Sequence, residues 1–134
     1  MHEDLQTTFA KAQASIGDGP VVMVNLLSFR DPPVYPADFE DRKVTGRAAY
    51  YEGYAGAFRE IAADLGVTAE LIYAGRHLAT LLPAARKLWD DLVIVRYQSF
   101  ADLRSIVATQ DYCTRAEPHR IAALSDWQFI ATKP

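Results

Sequence analysis

With 134 residues, half of them apolar, the chain has enough material for one domain with a real core. Disorder needs low hydrophobicity and high net charge, so it is excluded for the bulk of the chain. Fourteen basic against seventeen acidic side chains give a net charge of −3, a balance that argues against a nucleic-acid-binding surface. The single cysteine, Cys113, excludes an internal disulfide framework and fits a reducing, cytoplasmic compartment. No apolar run approaches the ~20 residues of a membrane span. The opening stretch carries Glu3 and Asp4 and lacks the apolar centre of a secretory signal.

Leu5, Phe9, Ala12 and Ile16 share one helical face, and Gly17, Gly19 and Pro20 end that helix. Its stripe is thin, so residues 1–19 read as a helical extension lying on a domain of residues 20–134. Val21 to Phe29 is rich in β-branched residues and reads as a strand buried on both faces. Alternation puts Val22, Val24 and Leu26 on one face and Met23, Asn25 and Leu27 on the other. Residues 30–43, with Pro32, Pro33 and Pro36, form a loop long enough to serve as a lid. Thr45 caps a helix that Gly66 closes, with Tyr51, Tyr54, Phe58, Ile61 and Leu65 inward. Gly53 and Gly56 weaken that helix, or allow another group to approach its backbone closely. Ala69 to Leu82 reads as one long strand with a bulge near Gly75. Leu92 to Tyr97 is the third strand. Ser99 and Asp102 open a helix with Phe100, Leu103, Ile106 and Val107 on its apolar face. Pro118 restarts the chain as a helical piece from His119 to Leu124, and Trp127 to Thr132 is the last strand.

After the first helix the order is β-α-β-β-α-β, which specifies an α+β, ferredoxin-like fold with a four-stranded antiparallel sheet. Right-handed crossovers place both main helices on one face and leave the other open. Met23, Leu27, Val93, Val95, Trp127 and Phe129 are assigned to that open face, an apolar patch too large to leave in water. A homodimer through the sheet faces would cover it.

Five phrases in register carry a resemblance to a known family: VVMVNLLSFR, TGRAAYYEGY, YAGRHLA, WDDLVIVRYQS and HRIAALSDWQFIAT. Over roughly Pro20 to Pro134 the chain resembles the DUF1330 family. Gln98 stands where members often have proline, and Tyr54 sits one place later than usual, with Gly53 in its expected position. The resemblance implies the dimeric α/β-barrel superfamily, in which two ferredoxin-like subunits face their sheets together. It implies no catalytic motif, so no residue role is carried over from it.

Asn25 is an amide inside an apolar strand. It either donates to a ligand oxyanion at the sheet or satisfies a backbone group there, since a buried unpaired amide costs ~1–3 kcal/mol. Of the tyrosines Tyr50, Tyr51 and Tyr54, the last two fit the core stripe. Tyr50 lies off it by about 100 degrees and is the better candidate for proton transfer. His119 is a candidate general base, and Arg120 a candidate for binding a carboxylate through its planar fork. Against these stands an Arg120 pair with Glu117 or Asp126 beside an exposed His119. Arg76 and His77 point to opposite faces of the second strand, and one of them can reach a cavity. Asp90 and Asp91 fit turn positions better than a catalytic pair, and Cys113 fits a buried apolar role. His2, His77 and His119 are far apart in sequence and no metal-ligand spacing occurs, so neither a metal nor another cofactor is expected.

The expected site is a pocket between the sheet and the first long helix, lined by Met23, Leu27, Val93 and Phe129. Arg76 and Arg120 are further candidates for substrate contact. In it Asn25 would hold an oxyanion while Tyr50 and His119 move protons. The expected function is cofactor-independent acid–base chemistry on a small apolar carbonyl or aromatic substrate, of the cyclase, isomerase, lyase or oxygenase type. A non-catalytic ligand-binding or stress-related module is the first alternative. A haem or flavin site, with His77 or His119 as an axial ligand, is the second.

Overall fold

The structure, a computed structural model, describes residues 4–83 and 88–134, so His2 and Glu3 lie outside the described residues. Helix α1 (Leu5–Ile16) starts where the Asp4 carboxylate accepts a hydrogen bond from Gln6 N and ends at Gly17, whose φ of 74° suits glycine. Strand β1 (Val21–Phe29) leads into the long loop. Helix α2 spans 46–65 as α-helix Gly46–Ala48, a π-helical segment Ala49–Tyr54 and α-helix Ala55–Leu65. Thr45 caps it by accepting from Ala48 N, and Gly66 closes it in the left-handed conformation. Strands β2 (Ala69–Arg76) and β3 (Asp91–Tyr97) follow. Helix α3 (Phe100–Val107) is capped by Ser99, which accepts from Asp102 N. Helix α4 spans 110–123, with a π-helical segment Tyr112–Ala116 before Glu117–Ala123, and β4 (Leu124–Thr132) closes the sheet.

The strands lie in the order β2-β3-β1-β4 and all pairs are antiparallel, the ferredoxin-like topology expected from the sequence. Strand β2 ends at Arg76, shorter than expected, and its irregularity falls between Leu71 and Tyr73 rather than at Gly75. No helix among the described residues is long and apolar enough to cross a membrane.

The register corrects the assignment of the sheet faces. Met23 pairs with Val95, Asn25 with Val93 and Phe129, and Leu27 with Trp127, so these residues share one face. That face lies under the helices: Met23, Asn25, Leu27 and Val93 are all buried in the single chain. The six residues assigned to the open face therefore face inward. The open face carries Val22, Val24 and Leu26 with Leu92, Ile94 and Ile130, joined by Tyr73 from β2. It is apolar as well, with Tyr73 55% exposed and Ile130 38%. An Arg96–Glu70 pair at 3.9 Å stands towards one end of it, opposite Val22.

Phe9 brings α1 into the same core, packing 5.1 Å from the Phe100 ring and 6.0 Å from Phe129. The loop 30–45 is pinned rather than free. Arg42 donates to the carbonyls of Pro36, Ala37 and Phe39, all at 2.8 Å, and Gly46 N donates to Asp31 Oδ1 at 2.7 Å. A Cβ on Gly46 would lie 2.0 Å from the Arg30 carbonyl oxygen, so only glycine fits where this loop enters α2.

Candidate functional site

A cavity of about 220 Å³ lies between the sheet and the helices. Asn25, Val93 and Phe129 form its floor, Tyr50, Tyr51 and Tyr54 of α2 its roof, and Leu5 and Phe9 of α1 one wall. Met23 and Leu27, expected to line it, are on the correct face but sit in the packed core beside it. The π-helical segment explains why all three tyrosines reach the cavity. One extra residue in the turn shifts the helical phase, so an ideal α-helical stripe misplaces Tyr50 relative to Tyr51 and Tyr54.

Asn25 has structural partners on both ends of its amide. Its Nδ2 donates to Val93 O at 3.1 Å and its Oδ1 accepts from Trp127 Nε1 at 3.0 Å. Only one of the two Nδ2 hydrogens is used in this way, so one N–H remains for a ligand. Tyr50 is buried, and burial pushes its phenol well above the ordinary value of 10. It is therefore a neutral hydrogen-bonding group at neutral pH. The Tyr54 hydroxyl is committed to Tyr112, 2.9 Å away.

Arg120 does not enter the cavity lining. Its guanidinium lies 4.8 Å above the Trp127 ring, and its donors reach Tyr112 at 3.4 Å and Glu117 at 3.2 Å. The Glu117 pairing anticipated from the sequence is thus present, between a buried arginine and a partly buried glutamate.

His119 is brought to neither Asn25 nor Tyr50. It lies on α4, facing away from the sheet, beneath the loop. Tyr35 and Phe39 contact its ring edge-on at 5.4 and 5.0 Å. Its Nδ1 is 2.7 Å from the Tyr35 hydroxyl and its Nε2 is 3.5 Å from Asp41 Oδ2. The ring is buried, which corrects the alternative of an exposed His119. Gly53 makes room for it, since a Cβ there would lie 2.3 Å from His119 Nδ1, whereas one on Gly56 would meet nothing. The close-approach reading holds for the first glycine only.

Burial lowers the His119 pKa below its ordinary 6.5, with Asp41 pulling part of the way back. The folded value lies below the unfolded one, so the unfolded chain binds more protons as the solution is acidified. Stability from this group is full above pH 6.5 and is lost as pH falls from there towards the folded value. Urea midpoints at pH 7.5 and 5.5 should therefore fall further for the wild type than for His119→Gln. Equal pH slopes in the two proteins would refute this coupling.

Arg76 faces the helices opposite Asp91 and is exposed, while His77 lies past the end of β2 with its Nε2 2.9 Å from Thr80 Oγ1. Neither lines the cavity. Both histidines proposed as haem ligands are engaged by side chains away from the cavity, so the residues present do not fit a haem there. Cys113 is exposed, contrary to the buried role expected of it.

Asp91, expected in a turn, is instead a buried acceptor beside the cavity tyrosines. Placed at the start of β3 rather than in a turn, it is 3% exposed. Its Oδ2 accepts from Tyr51 OH and from Arg47 Nη1, each at 2.5 Å, and its buried Oδ1 has no hydrogen-bond partner among the described residues.

The fold has solved relatives. A protein of unknown function from Rhodopseudomonas palustris, RPA0582, superposes with a TM-score of 0.79 at 28% identity, over 98% of this chain and 95% of its own. The methylated RPA0582 protein matches with a TM-score of 0.81 at 27% identity, over 98% and 93% of the two chains. A dabb family protein with a ferredoxin-like fold from Mesorhizobium loti gives 0.53 at 9% identity, over 87% and 98%. The last likeness shows the fold alone. No family model and no curated protein matches the chain.

Proposed function

We propose that this chain is a small-molecule pocket protein of the DUF1330 type that carries out cofactor-independent acid–base chemistry on a small carbonyl or aromatic substrate. The observation that carries the reading is the apolar cavity of about 220 Å³ with Asn25 and Tyr50 at its surface. An apolar cavity of about 150 Å³ is enough for benzene, so this one accommodates a ring with one or two small substituents. The spare Asn25 N–H and the neutral Tyr50 hydroxyl are donors for an oxyanion developing on such a substrate, in surroundings where a hydrogen bond is stronger than in water. The unpartnered open face of the sheet supports the accompanying proposal of a homodimer through that face.

A non-catalytic binding module is favoured by one observation: neither a carboxylate nor an imidazole is among the residues lining the cavity. Deuterium wash-in separates the two readings. With acetophenone in heavy water, solvent deuteroxide takes the proton from the carbon beside the carbonyl and D2O returns a deuteron to it. Enolate stabilisation by Asn25 and Tyr50 should accelerate this exchange, and Asn25→Ala or Tyr50→Phe should lower its rate by about 10²-fold. Acetophenone that binds without faster exchange would leave the binding module standing and overturn the enzyme.

A further inference from the structure

Tyr51 and Asp91 together give the cavity a polarity that its apolar lining does not. Tyr51 has one hydroxyl proton, and at 2.5 Å from Asp91 Oδ2 that proton is directed to the carboxylate. Asp91 is buried, shares Oδ2 between Tyr51 and Arg47, and leaves Oδ1 without a donor among the described residues. A carboxylate is an acceptor only, so it holds the Tyr51 O–H in this hydrogen bond and donates nothing in return. Arg47 is held by Asp91 with its guanidinium 4.9 Å above the Phe29 ring, and Arg76 opposite Asp91 is exposed to solvent. The Tyr51 oxygen therefore offers a ligand lone pairs and nothing else. The other phenols that line the cavity differ: Tyr54 is bonded to Tyr112, while Tyr50 and Tyr97 have no side-chain hydrogen bond among the described residues and keep a proton to donate.

We infer that Tyr51, oriented by Asp91, is the acceptor of the cavity, and that its ligand is a small ring bearing a hydroxyl, a phenol or an enol, whose O–H donates to Tyr51. The inference rests on the cavity being a ligand site. It adds the chemical class of the ligand and a binding role for Tyr51 and Asp91, which the sequence pattern assigns to a core stripe and to a turn. Asp91 is a positioning residue: it touches Tyr51 and not the ligand. Hydrogen bonds in series polarise one another, so the charge on Asp91 makes the Tyr51 oxygen a better acceptor than an isolated phenol.

Phenol and toluene have the same shape and differ in the donor, so their dissociation constants, measured by isothermal titration, isolate the effect. The toluene-to-phenol ratio should fall by about tenfold from wild type to Tyr51→Phe, the worth of one such hydrogen bond. Toluene itself should bind both proteins alike, which shows that the cavity is intact in the variant. Asp91→Asn keeps the shape, removes the charge, and should lower the ratio several-fold. A merely structural role for Asp91 would weaken both ligands together and leave the ratio unchanged. An unchanged ratio in Tyr51→Phe, with both ligands still bound, would overturn this inference and leave the cavity reading intact. Failure of both ligands to bind the wild type would overturn the two together.

Discussion

Arg120→Met should destabilise the fold by about 3 kcal/mol in urea unfolding, whereas Arg115→Met should cost less than about 1 kcal/mol. Geometry alone points the other way. Arg115 approaches Glu60 to 2.5 Å, while Arg120 stands 3.2 Å from Glu117. The environments decide the order. The Arg115 and Glu60 side chains are 42% and 68% exposed, so water screens their attraction and recovers both charges when the pair is broken. Arg120 is 7% exposed and meets Trp127, Tyr112 and Glu117 in one place. Its removal strands a partly buried Glu117, takes a donor from Tyr112 and empties the space above the indole. Equal, small losses in the two variants would show that the buried network contributes little.

Val24→Glu should convert a dimer into a monomer without unfolding it. Val24 sits at the centre of the open face, opposite Ile94 on one side and Ile130 on the other. A stable interface removes about 800 Å² per partner from water, and one carboxylate buried in an apolar core without a counter-charge costs several kcal/mol. That cost shifts the dissociation constant by orders of magnitude. Val95→Glu makes the contrast, because Val95 lines the cavity under the helices and a charge there should unfold the chain instead. Sedimentation of the wild type as a monomer at micromolar concentration would refute the dimer.

The fold was legible because its local signals agree with one another. Thr45, Ser99 and Gly66 each do at their helix ends what their residue types indicate, and the order of strands and helices admits few topologies. The facing of β1 was not legible. Both alternating sets of β1 are apolar enough to be buried, and only the register and the helices reveal that the set containing Asn25 lies inward. Asn25 and Tyr50 could be selected from sequence because a polar group in an apolar strand and a tyrosine off the helical stripe are local anomalies. The environments of His119 and Asp91 are set by residues 84 and 40 positions away in the chain, Tyr35 and Tyr51, which no local pattern encodes. Gly53 was the available signal for His119. The π-helical turn that moves the tyrosines leaves no mark that composition or period can read.

A small ring entering the cavity over Asn25 would be sensed directly by the indole N–H of Trp127, which is bonded to Asn25 Oδ1 at 3.0 Å. The chain has two tryptophans, so the nitrogen–proton spectrum carries two indole signals, from Trp127 and Trp89. Titration with toluene should move the Trp127 indole and the Asn25 side-chain amide, saturably and with one dissociation constant, and leave the Trp89 indole in place. If those two signals stay fixed, or the shifts are confined to His119 and Phe39 on the outer side of the helices, the cavity is not the ligand site.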